Sequence, residues 1–204
     1  MGTVERRERQ KAEVRTTILR VARELVVREG FEGLTMRKLA EAIEYSPAAI
    51  YLHFKNRDDI ARALCLQGFE ELLARLEPAA REPVAVRRLR ALAEAYVGFG
   101  LEHPETYRLL FMTDPEYTTD IFRSPGDSGG RAFQVLTGLV EALKHQGEVA
   151  DTVGTVPLAE VLWGALHGLV SLKLTCPIFP TSSVEQLLET LTGLCTLGSA
   201  KRAS

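Results

Sequence analysis

Cysteine is scarce in this chain. Cys65, Cys176 and Cys195 are the only three in 204 residues, too few and of odd number for a disulfide framework, and none stands in a CxxC pair. They read as small buried hydrophobes of a reducing compartment. Long hydrophobic runs are missing as well. The longest, Leu162 to Leu172, spans 11 residues and is interrupted by His167, against the about 20 a helix needs to cross a bilayer. No apolar run follows the charged stretch from Thr3 to Arg15, so no secretory leader is read. A strong charge of one sign is also absent: the net charge is −2, with 12 Lys/Arg against 10 Asp/Glu in residues 1–60 and 13 against 17 beyond. Any footprint for nucleic acid must therefore be local. The expectation is a soluble, cytoplasmic protein with no membrane span, cofactor or metal.

What the chain does have is apolar residues at helical spacing in almost every segment, and no alternating strand pattern of useful length. Ile18, Ala22, Leu25 and Val26 make one stripe, stopped by Gly30 as a helix terminator. Thr35 caps a short helix with Leu39, Ala40 and Ile43 on its inner side, and Ser46-Pro47 pairs a hydroxyl N-cap with a proline at the first helical position. Asn56 and Asp59 suit a reciprocal cap for a helix that buries Ile60, Leu64, Cys65, Phe69 and Leu72. Pro78 to Pro83 breaks the pattern and is the best domain boundary. Stripes then follow at Leu89–Val97, Pro104–Met112, Ala132–Leu143, Pro157–Thr175 and Val184–Leu197, with a polar Gly/Pro-rich connection from Asp114 to Gly130. The fold class is all-α, with about nine helices: an N-terminal three-helix domain containing a helix-turn-helix (12–72), and a C-terminal helical domain for ligand binding and dimerisation (84–199).

The stretch Thr35–Phe54 supplies every part of a helix-turn-helix: a buttressing helix, a tight turn, and a second helix able to approach base edges. Leu39, Ile43, Ile50 and Phe54 can form the core the two helices share. Ser46, Pro47, Ala48 and Ala49 are small enough to bring backbone close to a duplex. Tyr51, His53 and Lys55 offer a phenol, an imidazole and an ammonium to phosphate oxygens, and Thr35 and Arg37 can do the same from a helix N-terminus. The charged residues Arg6, Arg7, Arg9, Lys11 and Arg15 suit either an arm reaching DNA or a solvated helical extension.

The run Arg28-Glu29-Gly30-Phe31-Glu32-Gly33-Leu34-Thr35-Met36-Arg37-Lys38-Leu39-Ala40, followed by Ser46-Pro47-Ala48-Ala49-Ile50-Tyr51-Leu52-His53-Phe54-Lys55, resembles the DNA-binding domain of the tetracycline-repressor (TetR) family. The resemblance implies a homodimeric, ligand-responsive transcriptional regulator, usually a repressor, acting on near-palindromic double-stranded operator DNA. It assigns Tyr51, His53 and Lys55 to phosphates and Ser46 to Ala49 and Leu52 to the groove side. The chain departs from the family at the turn, where Glu44-Tyr45 replaces a glycine and a small aliphatic; Glu44 must take the glycine's conformation, and Tyr45 is placed to touch the duplex. Leu162-Trp163-Gly164-Ala165-Leu166-His167-Gly168 and Tyr96-Val97-Gly98-Phe99 through Phe111 resemble the Trp/His/Gly signature of one C-terminal subtype, which implies a dimer through the last two helices. Gly164, Gly168 and Ser171 along one side of a helix suit the same close approach. The ligand, an unidentified small and partly apolar effector, is expected among Tyr96, Phe99, Tyr107, Phe111, Phe133, Trp163 and His167.

Gly126-Asp127-Ser128-Gly129-Gly130 reproduces the string around the nucleophile of chymotrypsin-like proteases, with His103, Asp114 and Ser128 in the matching chain order. A helical ligand-binding or hydrolytic protein that makes no use of its helix-turn-helix is therefore the alternative. It is disfavoured because that chemistry sits on β-barrels, whereas a loop rich in Gly, Pro, Asp and Ser is ordinary turn composition. The chain reads as a regulator and not an enzyme.

Overall fold

A computed structural model of the chain describes residues 2–123, 126–176 and 178–200. Among them are nine α-helices: α1 (Thr3–Glu29), α2 (Met36–Ala42), α3 (Pro47–Tyr51), α4 (Arg57–Ala79), α5 (Ala85–Glu102), α6 (Pro104–Arg108), α7 (Ser128–His145), α8 (Thr155–Thr175) and α9 (Val184–Ala200). No strand occurs among the described residues, so the all-α expectation holds. The chain forms two compact units. One contains the sequence through Gly68 together with Glu105–Asp120; the other contains Phe69–Pro104 and the chain from Ile121 onward.

In the first unit, α1 turns Ile18, Leu19, Val21, Ala22, Leu25 and Val26 inward, and burying each large aliphatic of this kind contributes about 1.5–3 kcal/mol. Gly30, at φ 71°, ends the helix, its N–H donating to the Val26 carbonyl. The basic N-terminal stretch is helical from Thr3, so the extended arm is not what forms: Glu5 reaches back to accept from the Gly2 N–H at 3.1 Å. Thr35 Oγ1 accepts from the Lys38 N–H at 3.2 Å to start α2. Ser46 Oγ accepts from the Ala49 N–H at 3.3 Å, with Pro47 as the first residue of α3.

The shared core of the helix pair is Leu39, Ile50 and Phe54, all nearly or fully inaccessible. Ile43, expected beside them, is only half-buried because it has left α2 and forms its C-cap. The second helix is also shorter than its apolar pattern suggests. It ends at Tyr51, and Leu52 and His53 turn away while the His53 and Phe54 amides both donate to the Ile50 carbonyl, at 2.8 and 3.0 Å. Asn56 Oδ1 then caps α4 by accepting from the Asp59 N–H at 2.9 Å, and Asp59 Oδ2 accepts from the Lys55 N–H at 3.0 Å.

Glu105–Asp120 completes this unit. α6 passes into a wide, π-type turn at Leu109–Thr113 and then into 3-10 turns, where the stripe expected from Pro104 to Met112 suggests a single helix. Tyr117 packs edge-on against Phe31 at 5.4 Å, and its hydroxyl donates to Asp58 Oδ1 at 2.9 Å. The Cys65 thiol points at the Leu109 carbonyl (3.7 Å), and burial pushes its pKa up to about 12. It is the inert core cysteine the composition suggests.

The second unit begins with the later turns of α4, which pass through Pro78 to Ala79; a proline in the last turn ends the helix there rather than breaking it earlier. α8 packs against both α5 and α7, and α9 against α5. α8 buries Ala159, Leu162, Leu166 and Val170 but leaves Val156 and Val161 in solvent. By length and composition alone α8 meets the requirement for crossing a membrane, alone among the described helices. The 11-residue run that the sequence shows understates it, because Val156, Leu158, Ala159 and Val161 extend the apolar character before that run and Leu174 after it. Its packed face places it in this helical unit.

Glu44 is the one described non-glycine residue with a positive φ, 56°. A side chain in this left-handed region costs about 1–2 kcal/mol. Replacing Glu44 with glycine is therefore expected to stabilise the protein by about 0.5–1 kcal/mol, read as a higher thermal midpoint in circular dichroism; an unchanged or lower midpoint would contradict the strain.

Candidate nucleic-acid interface and ligand cavity

Five residues make a helix too short to persist alone, so α3 is defined by what holds it. Ile50 anchors it from below, Ser46 and Pro47 start it, and Phe54 fastens its exit beneath the Arg15 guanidinium, which lies 4.2 Å from the ring centroid. What remains points outward. Tyr45 is 45% exposed, Tyr51 53% and Leu52 76%, and Ser46, Pro47, Ala48 and Lys55 are exposed while Ala49 is half-buried. None of these side chains is needed for the core. A surface that displays two tyrosines and a leucine around small residues is shaped for contact.

The flanking groups are suited to phosphates. Thr35 and Ser46 use their oxygens as caps, yet each hydroxyl keeps its own proton to donate. Arg37 Nε lies 3.2 Å from Glu41 Oε1, but both side chains are largely in solvent, and such a pair holds the guanidinium weakly. His53 departs from the expected outward pose. It is half-buried, its Nδ1 is sealed from solvent without a hydrogen-bond partner among the described residues, and it lies in the field of Lys11 and Arg15 from α1. Burial first, and those two cations second, lower its pKa. Lys11 and Arg15, ambiguous in the sequence, thus stand beside α3 as part of one basic cluster.

The second unit holds a small apolar cavity of about 20 Å³, room for about one water. Phe69, Leu72 and Leu76 of α4, Leu92 and Tyr96 of α5, Ala132, Phe133 and Leu136 of α7, and Trp163 and Leu166 of α8 form its walls. Trp163 Nε1 donates to the Tyr96 hydroxyl at 2.9 Å, so the polar atoms of two wall residues meet each other. Of the seven residues expected around a ligand, Tyr96, Phe133 and Trp163 do converge here. Phe99 is fully buried with its ring against His103, at 5.4 Å, and is not a wall residue. Tyr107 and Phe111 stack on each other at 4.8 Å in the first unit, and His167 is also not among the walls. Aromatic character alone singles out those four, whereas the walls are set by which helix faces meet. The leucines of α4, α5 and α7 that complete the walls look like ordinary core in the sequence, and only their spacing on the inner faces marks them.

The serine-protease string has a packing explanation. Gly129 approaches the Phe122 ring and the Ile121 carbonyl so closely that an added Cβ would lie 2.7–2.8 Å from them, so the start of α7 requires glycine there. Ser128 is the first residue of α7 and is buried. Asp114, in the other unit, spends its carboxylate accepting from the Glu116 N–H at 2.9 Å. His103 caps the end of α5.

Burial lowers the pKa of His167 as well as that of His53, from the ordinary 6.5. The unfolded chain then binds more protons than the folded one as pH passes below 6.5, so the folded state loses stability on acidification and keeps it in full above that value. Thermal midpoints should fall less between pH 7.5 and 5.5 in a His53→Gln/His167→Gln variant than in the wild type; equal falls would contradict these shifts.

Comparison with known proteins agrees with this geometry. The family model described as "Bacterial regulatory proteins, tetR family" matches residues 18–64, which include α2, α3 and the start of α4. That described as "Tetracyclin repressor-like, C-terminal domain" matches residues 89–194. The HTH-type transcriptional regulator UidR of Escherichia coli (strain K12) is 31% identical over 150 residues, covering 63% of this chain and 74% of that protein. A solved structure of a protein of unknown function from Rhodococcus sp. RHA1 superimposes with a TM-score of 0.78 at 26% identity, covering 91% of this chain and 95% of that one. AibR, solved in complex with isovaleryl coenzyme A and operator DNA, shares the fold, with a TM-score of 0.67 at 20% identity over 89% of this chain and 97% of that one. The chain belongs to the TetR family and is a DNA-binding transcriptional regulator.

Proposed function

We propose that this regulator is a repressor that binds a near-palindromic operator as a homodimer and is released by a small molecule held in the C-terminal domain. The observation that carries the reading is the outer face of α3, where Tyr51, Leu52 and Tyr45 stand in solvent with no structural duty. Ser46, Pro47, Ala48, Ala49 and Leu52 face base edges in this reading, and Tyr45 lies at the margin. Thr35, Arg37, Tyr51, His53 and Lys55 hold phosphates, which position the protein without reading sequence. The DNA-reading domain is 12–72 and the ligand and dimer domain 84–199. The family description is bacterial, and a regulator of the genome there works in the cytoplasm.

Dimerisation through α8 and α9 is supported by what these helices leave uncovered. Val156 is 49% exposed, Val161 67% and Leu194 62%. A Cβ added at Gly164, Gly168 or Gly193 would meet nothing within 4 Å, leaving room for a second backbone to approach. Two copies would present their α3 helices to successive major grooves, about 34–36 Å apart. Ligand release is then a population shift: DNA selects one spacing and the effector another.

Fluorescence anisotropy with the DNA upstream of the gene tests the interface. A folded Tyr51→Ala/Lys55→Ala variant should bind at least roughly tenfold more weakly, given charge-assisted phosphate bonds of about 1.5–3 kcal/mol. Its log–log salt slope should be shallower by about 1. Wild-type affinity and slope in that variant would remove these residues from the contact. Sedimentation tests the dimer: Val161→Glu with Leu194→Glu is expected to yield monomers at concentrations where the wild type is dimeric, and an unchanged mass would exclude the α8–α9 face.

A further inference from the structure

We propose that the N-terminal turns of α1 form a second DNA-binding element, a free-standing helix that lays Arg7, Lys11 and Arg15 along the phosphate backbone beside the site read by α3. The inference rests on the α3 reading above and adds a second surface to it. Helix α1 runs from Thr3, but its buried face begins only at Ile18. From Glu5 to Arg15 every residue is exposed except the half-buried Val14. These turns extend roughly 15 Å at 1.5 Å per residue. A helix with no buried side owes its place to no packing, and its chemistry is that of its charges.

Spacing decides which charges act together. Positions 7, 11 and 15 are four apart and share one side of the helix, the same side that buries Ile18, Ala22 and Val26 further along. This stripe holds three cations and one neighbouring acid, Glu8. On the rest of the stretch Arg6 and Arg9 are matched in number by Glu5 and Glu13, so the net positive charge lies on the stripe. Among the described residues, none of its three cations is held in an ion pair. Two observations aim the stripe at α3. The Arg15 guanidinium lies 4.2 Å from the centroid of the Phe54 ring, at the exit of α3. Lys11 and Arg15 both stand near enough to His53 to lower its pKa, second to burial. Arg15 donates no hydrogen bond among the described residues, so its N–H donors remain for a phosphate.

Charge complementarity and continuity with the α3 face select DNA as what the stripe meets. The helical form selects the backbone over a groove. A helix about 10–12 Å across with its side chains does not enter a minor groove about 6 Å wide, and the Glu8 carboxylate would meet the negative potential there. Phosphate contacts position a protein without reading bases, so this element adds affinity and leaves selectivity to α3.

The test compares the full-length protein on the DNA upstream of the gene and on a scrambled duplex of equal length, by fluorescence anisotropy across a salt series. Arg7→Gln/Lys11→Gln replaces two exposed residues with good helix formers, and circular dichroism checks its fold. It should weaken binding to both duplexes by the same factor, at least roughly fivefold at 0.1 M salt, and flatten the log–log salt slope by about 2 per bound subunit. The charge-conserving Arg7→Lys/Lys11→Arg should keep wild-type values, and Glu8→Gln should tighten binding to both duplexes. An unchanged slope in Arg7→Gln/Lys11→Gln would overturn the proposal. So would weakening confined to the upstream DNA, or an equal loss in Arg7→Lys/Lys11→Arg. The two readings fail separately. A wild type that does not distinguish the duplexes removes the operator reading, while the slope difference on the scrambled duplex still decides this one.

Discussion

The helix-turn-helix depends on a second helix that cannot support itself. Five residues give α3 fewer internal hydrogen bonds than ordering them costs, so its position is dictated by side chains outside it. Ile50 is sunk into the core with Leu39 and Phe54. Ser46 closes the N-terminal turn, and Arg15 of α1 lies over Phe54 at the exit. Because these five residues fasten the inner face and both ends, the outer face is free of structural work. Tyr51, Leu52 and Lys55 accordingly stand in solvent with no part in the core.

The chain separates two kinds of chemistry. The face around α3 displays small residues and an exposed Lys55, with Lys11 and Arg15 of α1 close enough to His53 to act on it, although the whole protein carries a charge of only −2. The cavity walls are apolar and carry no charge. Helix α4 has a share in both units: Ile60, Ala61, Leu64 and Cys65 belong to the core of the first, while Phe69, Leu72 and Leu76 wall the cavity of the second.

How much of this the sequence discloses depends on the range of the interaction. Thr35, Ser46-Pro47 and Gly30 announce helix ends because capping is decided within three or four residues, and all three act as such. Glu44 in place of glycine correctly marks a left-handed turn. His53 was harder: its residue type suggests an outward donor, but its orientation depends on α1, some forty positions earlier. The grouping of Glu105–Asp120 with the N-terminal helices rests on contacts such as Tyr117 to Asp58 and Phe31, which no local pattern encodes. The cavity was half legible. Tyr96, Phe133 and Trp163 are conspicuous as aromatics, while Leu72, Leu92 and Leu136 acquire a role only when four helices meet.

The central claim is that α3 reads a duplex, and footprinting on the DNA upstream of the gene tests it most directly. Two protected patches are expected, related by a dyad and separated by about one helical turn of 10–10.5 base pairs, with protection that fades as salt rises. Uniform protection without a dyad, or none at low salt with a folded dimer, would contradict it.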